Sequence, residues 1–216
     1  MKAMSDVHKI VDILNQMYPE ADCSLEARDP FKLLVCAILA SQCTDARVNI
    51  VAEELFSIFP DVQAFANCNI EKLQHVIRPC GFYRVKADSI KASSIALIER
   101  FDGRVPDTME DLLSLSGVGR KIANLILGDI YNKPAIVTDT HCIRISNRIG
   151  LCDSTNPYKV ELRLAEIIAE DHQSLFCHQL VFFGRDVCKA KNPACGKCPL
   201  FQYCDHGKLC VDKKNK

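Results

Sequence analysis

The amino-acid sequence predicts an all-α fold. Apolar residues recur every three or four positions along nearly all of the 216 residues, which is the periodicity of a helix with one buried face. Strand-like alternation of apolar and polar residues is nearly absent. Capping residues and prolines separate the apolar stretches. These patterns predict about ten short helices joined by tight turns, with no low-complexity linker and no long-period repeat.

Each predicted helix start has a side chain or a proline suited to a first turn. The first amides of a helix lack intrahelical acceptors, so a preceding Asp, Asn or Thr stabilises them, and proline fits because it has no amide. In chain order, the predicted starts are Asp29-Pro30, Thr44-Asp45, Asn69, Thr108 and Asn156-Pro157. Because glycine tolerates a left-handed conformation, helix ends are predicted at Gly81, Gly103 and Gly150.

Composition limits the class of protein. The 48% of hydrophobic residues suffices for a sizeable core. The longest apolar run, Leu33 to Ala40, is far shorter than the ~20 residues of a membrane-spanning helix. Residues Met1 to Ile10 carry charges and lack the apolar centre of a signal peptide. We therefore expect a soluble, cytoplasmic, monomeric protein, whose thirteen cysteines are thiols and metal ligands instead of disulfides.

Net charge gives no support to nucleic-acid binding. The formal net charge is zero, whereas a basic domain or stripe is the usual electrostatic footprint. Local basic runs do occur, one of which includes Lys86 and another Arg144 and Arg148. A solvated helix face explains each run as well as a nucleic-acid contact does.

Two glycines, Gly117 and Gly119, lie one residue apart between two apolar helical stretches. A glycine turn that opens directly into a helix directs unpaired amides and the positive end of the helix dipole outward. This arrangement suits an anion such as a DNA phosphate. The spacing alone also fits an ordinary turn between two helices.

Lys121 follows this turn at the start of a helix whose other face is apolar. A lysine there is expected to be partly desolvated and close to a helix N-terminus, and both effects disfavour the ammonium form. The neutral amine is the form that attacks a sugar carbon and makes a Schiff base. A plain phosphate contact is the alternative that spacing leaves open.

Four cysteines near the C-terminus form a C-x6-C-x2-C-x5-C pattern: Cys188, Cys195, Cys198 and Cys204. Four thiolates in so short a loop suit one soft-metal centre, either a [4Fe-4S] cluster or tetrahedral zinc. The spacing leaves both open. The other nine cysteines are interpreted as small apolar residues.

The segment from Leu115 to Lys121 resembles the helix-hairpin-helix of the endonuclease III family, and Thr138-Asp139-Thr140-His141 resembles its catalytic aspartate motif. The similarity runs from Leu33 to Cys204 and includes the cysteine spacing, which implies a [4Fe-4S] cluster. It implies a bifunctional DNA glycosylase/AP lyase of base excision repair, acting on double-stranded DNA with damaged bases or abasic sites. Lys121 would be the nucleophile and Asp139 its assistant. Without the resemblance, Asp139 is interpreted as a helix cap.

The resemblance also implies which residues contact DNA. A damaged base must leave the stack before it is attacked, and inserted side chains stabilise the gap. By motif, Gln42 is expected to face the unpaired partner base and Phe82 to act as the wedge, with Tyr83 beside it. Further contacts are expected from Gly117, Gly119 and Arg120, and His141 is expected to support the pocket.

The family implies two helical lobes that flank a DNA-binding cleft. A helical barrel of residues 21–133 would contain the hairpin at about 108–127, and residues 1–20 with 134–216 would form the cluster domain with its loop at 188–204. Two alternatives stay open. One is a monofunctional glycosylase for mismatched or alkylated bases, and the other is a non-catalytic helix-hairpin-helix DNA-binding protein.

Overall fold

The computed structural model describes residues 2–212, and of residues 209–212 only the backbone. The prediction of an all-α fold is confirmed, because the described residues contain α-helices and short 3-10 turns and no strand. The helices are α1 (Met4–Met17), α2 (Pro30–Leu39), α3 (Asp45–Ile58), α4 (Val62–Ala66), α5 (Ile70–Ile77), α6 (Tyr83–Phe101), α7 (Met109–Leu113), α8 (Arg120–Asp129), α9 (Thr140–Ile149), α10 (Pro157–Ile167), α11 (Gln173–Asp186) and α12 (Asp205–Asp212). None of the helices in residues 2–212 has the length and apolar character needed to cross a bilayer.

Two compact units make up the chain. The hairpin unit is Cys23–Asn132, with α2 to α8. The cluster unit combines the described residues up to Asp22 with those from Lys133 onward, with α1 and α9 to α12. The sequence-based assignment of functions to domains 21–133 and 1–20 with 134–216 stays a prediction.

The helix starts follow the predicted capping chemistry. The side chain of Asp29 accepts a hydrogen bond from the Lys32 amide at 2.9 Å, and Asn69 and Thr108 cap α5 and α7 in the same way. At the second predicted start, Thr44 is the cap of α3 and Asp45 is its first helical residue. A carboxylate in the first turn is favoured there by the helix dipole.

Helix α2 is the centre of the hairpin unit. It contacts α3, α6 and α8, and nearly every residue from Phe31 to Leu39 is buried. An aromatic group closes one side, where the Phe65 ring lies 5.4 Å from the ring of Phe31 and 5.3 Å from that of Phe59. Burial on all sides explains why α2 has no polar face.

In the cluster unit, α11 packs against both α1 and α9. Its contact with α9 depends on Gly184, where a Cβ would overlap the His141 ring and lie 2.8 Å from Arg144 Nη2. On the opposite side, Gln179 Nε2 of α11 donates to Asn15 Oδ1 of α1 at 2.8 Å. These contacts fix α9 and therefore the residue that caps it.

Candidate functional site

The hairpin joins α7 to α8 through a turn that packs closely against α6. Gly117 has a φ of +77°, and a Cβ added to it would lie 2.8 Å from the Cβ of Ser89 on α6. The carbonyl of Ser116 accepts a hydrogen bond from Ser93 Oγ at 2.7 Å. Glycine is therefore required at 117 both by the backbone conformation and by the close approach of α6.

Gly119 has a different role in the turn. It is the N-cap of α8, in an extended conformation with a φ of −99°, and no side chain caps the helix. A Cβ at Gly119 would meet nothing within 4 Å, so this end of α8 is open. The first amides and the dipole of α8 thus present positive charge at an exposed surface, which is the environment that binds a phosphate.

Lys121 lies in the first turn of α8 with an exposed side chain. The opposite face of α8 is buried through Leu125 and Ile126. The prediction that Lys121 is partly desolvated is wrong, because the apolar packing covers only the other face of the helix. What the structure provides at Lys121 is an accessible amine beside a helix N-terminus.

Asp139 is the N-cap of α9. Its Oδ1 accepts a hydrogen bond from the Cys142 amide at 2.6 Å, and its own amide donates to the carbonyl of Val137 at 3.1 Å. Buried Cys142 and Ile145 anchor the helix behind it. The interpretation of Asp139 as a cap is confirmed, and capping holds this half-buried carboxylate in one orientation.

Gln42, Phe82 and the hairpin glycine Gly117 line one pocket of the hairpin unit, together with Val85 and Ser89 among others. Gln42 and Phe82 both have left-handed backbones, with φ values of +54° and +48°. A non-glycine residue in such a conformation costs about 1–3 kcal/mol and persists only where its surroundings impose it. The Phe82 side chain is 64% exposed, which suits a wedge better than a core residue.

Tyr83 lies on α6 of the hairpin unit, whereas His141 lies on α9 of the cluster unit. Tyr83 is half-buried at the first position of α6, with the Arg84 guanidinium 5.4 Å from its ring centre. His141, also half-buried, has its Nδ1 3.2 Å from Arg144 Nη2. His141 therefore contacts the side chain that supports the cysteine loop.

The four predicted metal ligands, Cys188, Cys195, Cys198 and Cys204, line one pocket of the cluster unit. Burial raises the pKa of the Cys198 thiol to about 11, and the charges of the other three cysteines act in the same direction. The Gly207 amide donates to Cys204 Sγ at 3.3 Å.

Two arginines of α9 hold the cysteine loop. Arg144 Nη2 donates to the carbonyl of Cys188 at 3.0 Å, and Arg148 donates to the carbonyls of Lys189 and Ala190 at 2.7 and 2.9 Å. Sequence reasoning missed this role, because both residues were assigned to a basic run. Their spacing of four residues on one helix face was the available signal.

The donor set of this pocket fits an iron-sulfur cluster. In a [4Fe-4S] cluster, the four cysteine thiolates surround a centre of several irons, so they line a pocket instead of meeting at one ion. Among the side chains that the structure describes, which end at Lys208, no three His, Cys, Asp or Glu are placed to surround a single metal ion. The twelve cysteines whose side chains are described form no disulfide, so all four ligands are available.

Two family models match the chain. Residues 35–170 match the HhH-GPD superfamily of base excision DNA repair proteins, and residues 188–204 match the iron-sulfur binding domain of endonuclease III. The first range contains the hairpin, Lys121 and Asp139, and the second begins and ends at the first and last of the four cysteines.

Known proteins with similar sequences and structures agree with these models. The chain is 42% identical over 197 residues to an endonuclease III of Synechocystis sp., which covers 91% of this chain and 90% of the relative. Two solved structures share 38% identity and a TM-score of 0.93, covering 98% of this chain and 100% of theirs. One is a non-covalent endonuclease III–DNA complex, and the other is a trapped endonuclease III–DNA covalent intermediate with an estranged adenine.

Proposed function

We propose, since the chain belongs to the endonuclease III family of base excision DNA repair proteins, that it removes oxidised pyrimidines from double-stranded DNA and then nicks the strand. The activity class is DNA glycosylase and AP lyase. The observation that carries the bifunctional assignment is the accessible amine of Lys121 at the open N-terminus of α8. We also propose that the enzyme acts as a monomer on the DNA of the nucleoid.

DNA binding begins with phosphates. The α8 N-terminus offers backbone amides of the hairpin, with Gly119 leaving room for close approach and Arg120 adding a charged donor. In the cluster unit, Lys189, Lys191 and Lys197 lie in the cysteine loop. Local clusters of this kind supply the phosphate attraction that the zero net charge of the whole chain does not.

Extrusion of the damaged nucleotide uses Gln42 and Phe82. Exposed Phe82 would enter the base stack as a wedge, with Tyr83 behind it, and Gln42 would hydrogen-bond to the base left without a partner. Support comes from the shared pocket and from the left-handed backbones, which aim both side chains from tight turns.

Lys121 carries the covalent chemistry. Its neutral amine attacks C1′ of the extruded nucleotide, forming a C–N bond while the glycosidic bond breaks and the base leaves with its electron pair and a proton. Opening of the sugar ring gives an imine. The imine acidifies the proton on C2′, and loss of that proton expels the 3′ phosphate by β-elimination.

Asp139 assists by charge and by proton transfer. Its capping hydrogen bond uses Oδ1, so Oδ2 is the oxygen through which the carboxylate would accept a proton during the reaction. The same charge would stabilise positive charge that develops on the sugar. His141 would act indirectly, through its contact with Arg144.

The [4Fe-4S] cluster has a structural role in this proposal. When bound, it would hold Cys188, Cys195, Cys198 and Cys204 in one arrangement and so order the loop between them. Arg144 and Arg148 connect that loop to α9, the helix that Asp139 caps. Removal of the cluster is therefore expected to loosen the cysteine loop and the end of α9 that contacts it.

Borohydride trapping on a duplex that contains one oxidised pyrimidine tests the proposal. The wild-type protein is expected to form a covalent adduct, and Lys121→Ala to form none while it binds the duplex with unchanged affinity. Base release by the wild-type protein without an adduct would support the monofunctional alternative. Duplex binding with neither base release nor an adduct would support the non-catalytic alternative.

A further inference from the structure

A buried lysine, Lys86, connects the two turns that carry Gln42 and Phe82. Lys86 is in the first turn of α6, yet its side chain is only 5% exposed. Its Nζ donates to the carbonyl of Leu39 and to that of Cys80, both at 2.8 Å. The basic run that includes Lys86 predicted either a solvated helix face or a nucleic-acid contact, and burial of the Lys86 side chain contradicts both predictions for this residue.

Each of the two carbonyls belongs to the backbone that leads into one turn. Leu39 is the last residue of α2 and lies three positions before Gln42, while Cys80 lies two positions before Phe82. The turns are separated by about forty residues of sequence. Because one ammonium binds both carbonyls, it holds the two backbone segments at fixed distances from the same nitrogen. Hydrogen bonds that involve a charged donor are stronger than neutral ones.

The unfavourable backbone at both turns needs such a restraint. Neither Gln42 nor Phe82 is a glycine, and both have positive φ. The local backbone bonds at the turns include that of the Cys43 amide to the Ala40 carbonyl at 3.1 Å and that of the Gly81 amide to the Arg78 carbonyl at 3.3 Å, both longer than the 2.8 Å bonds of Lys86. Without the shared ammonium, each turn is free to relax toward ordinary φ values.

We infer that Lys86 is a positioning residue for base extrusion, which sets the separation and orientation of Gln42 and Phe82 by binding the carbonyls of Leu39 and Cys80. It touches neither DNA nor the reacting atoms in this role. The inference rests on the proposed function, because it requires Gln42 and Phe82 to enter the duplex. It predicts that loss of the ammonium impairs the step that removes a nucleotide from the stack and spares the step that follows.

The test compares a substrate that needs extrusion with one that does not. The first is a duplex with one oxidised pyrimidine opposite 2-aminopurine, whose fluorescence reports unstacking. The second is a single strand with one abasic site, where no stacked partner has to be displaced. Lys86→Met keeps the length of the side chain and removes every donor.

Lys86→Met is expected to lower the single-turnover rate on the duplex by between about 10-fold and about 100-fold, the range that follows from a misplacement of about 1 Å. It is expected to lower the fluorescence change as well. The rate on the single strand should stay within about twofold of wild type, because imine formation at Lys121 is untouched. Lys86→Arg, which retains donors for both carbonyls, should recover part of the duplex rate.

Lys91→Met is the matched control. Lys91 is also on α6 and donates to a loop carbonyl, that of Cys68 at 2.7 Å, but it does not line the Gln42–Phe82 pocket. It should leave both rates within about twofold of wild type. If Lys86→Met does not fold, Lys86→Gln, whose shorter side chain ends in a neutral amide instead of an ammonium, enters the same assays, and a smaller loss of the duplex rate with an unchanged single-strand rate is expected.

An equal loss on both substrates, or no loss on the duplex, would overturn the positioning role of Lys86. The premise is tested separately by Gln42→Ala and Phe82→Ala on the duplex. Wild-type rates for both of these variants would overturn their proposed insertion, whichever result Lys86→Met gives. A duplex defect in all three variants, with normal single-strand rates, supports the premise and the inference together.

Discussion

Substitution of Gly117 by alanine probes the hairpin most sharply. The new Cβ meets two obstacles, a φ of +77° and the Cβ of Ser89 at 2.8 Å. A left-handed backbone costs an alanine about 1–2 kcal/mol, and overpacking costs about 1–3 kcal/mol. Reduced freedom of the unfolded chain returns about 0.4–1 kcal/mol. The expected net loss in the free energy of unfolding is about 3 kcal/mol.

Gly119→Ala is the control two residues away. Its φ of −99° suits any residue, and its Cβ would meet nothing within 4 Å. The only expected cost is that of alanine at an N-cap, below about 1 kcal/mol. Adding Ser89→Gly to Gly117→Ala should recover part of the lost stability, because it relieves the overlap and leaves the backbone strain.

Urea denaturation followed by circular dichroism measures these differences in unfolding free energy from the urea concentration at the midpoint of unfolding. The comparison requires that the unfolding free energy of each variant depends on urea with the same slope. Binding of an abasic duplex, measured by fluorescence anisotropy, reports whether the hairpin keeps its shape. Gly117→Ala should weaken binding together with stability, whereas Gly119→Ala should weaken binding without a comparable loss of stability, because its Cβ would occupy the space left for a phosphate. The reasoning would be refuted if Gly119→Ala proved as destabilising as Gly117→Ala, or if Gly117→Ala left stability unchanged.

Three further predictions concern the cluster unit. Asp139→Asn should retain stability and slow turnover severely, because asparagine still caps α9, whereas Asp139→Ala should also lose about 1 kcal/mol of unfolding free energy. Gly184→Ala should destabilise the protein despite the higher helix propensity of alanine, since its Cβ overlaps the His141 ring, and thermal unfolding checks this. Burial and the Asp186 carboxylate raise the pKa of Tyr18 above its ordinary 10.0, so the folded state keeps the phenol proton longer than the unfolded state does. Stability should therefore fall as the pH rises above about 10, and urea midpoints should show a shallower fall for Tyr18→Phe; a steeper fall would contradict the sign.

Local features of the fold were predictable from the sequence. Capping by Asn69 or Thr108 depends on a side chain and an amide three residues later, so sequence alone specifies both partners. The same holds for Gly150, which ends α9 with a φ of +95°. Where two neighbouring residues can both cap a helix, as Thr44 and Asp45 can, the sequence does not say which side chain accepts the hydrogen bond from the first turn.

Features that depend on tertiary packing were not predictable. Lys86 is a charged residue in a basic run, and only the approach of Leu39 and Cys80 explains why it is buried. Lys121 shows the reverse case, since an apolar helix face suggested partial burial and the structure leaves the side chain exposed. Burial depends on which elements meet, and sequence periodicity does not specify partners.

In the candidate site as well, local motifs were predictable from the sequence and contacts between distant residues were not. The resemblance predicts that Gln42 and Phe82 insert into DNA, but nothing in the spacing placed them in one pocket with Gly117. The cysteine pattern predicted four metal ligands, yet the arginines that hold their loop lie about forty residues earlier, on α9. Contacts across such distances in sequence follow from the fold.

The proposed mechanism requires the ε-nitrogen of Lys121 to bond to C1′ of an extruded nucleotide. The most direct test is to trap the wild-type protein on a lesion-bearing duplex with borohydride, digest the complex and map the modified peptide by mass spectrometry. The mechanism predicts one adduct, on the peptide that contains Lys121. An adduct on another lysine or on the N-terminal amine, with the Lys121 peptide unmodified, would contradict it.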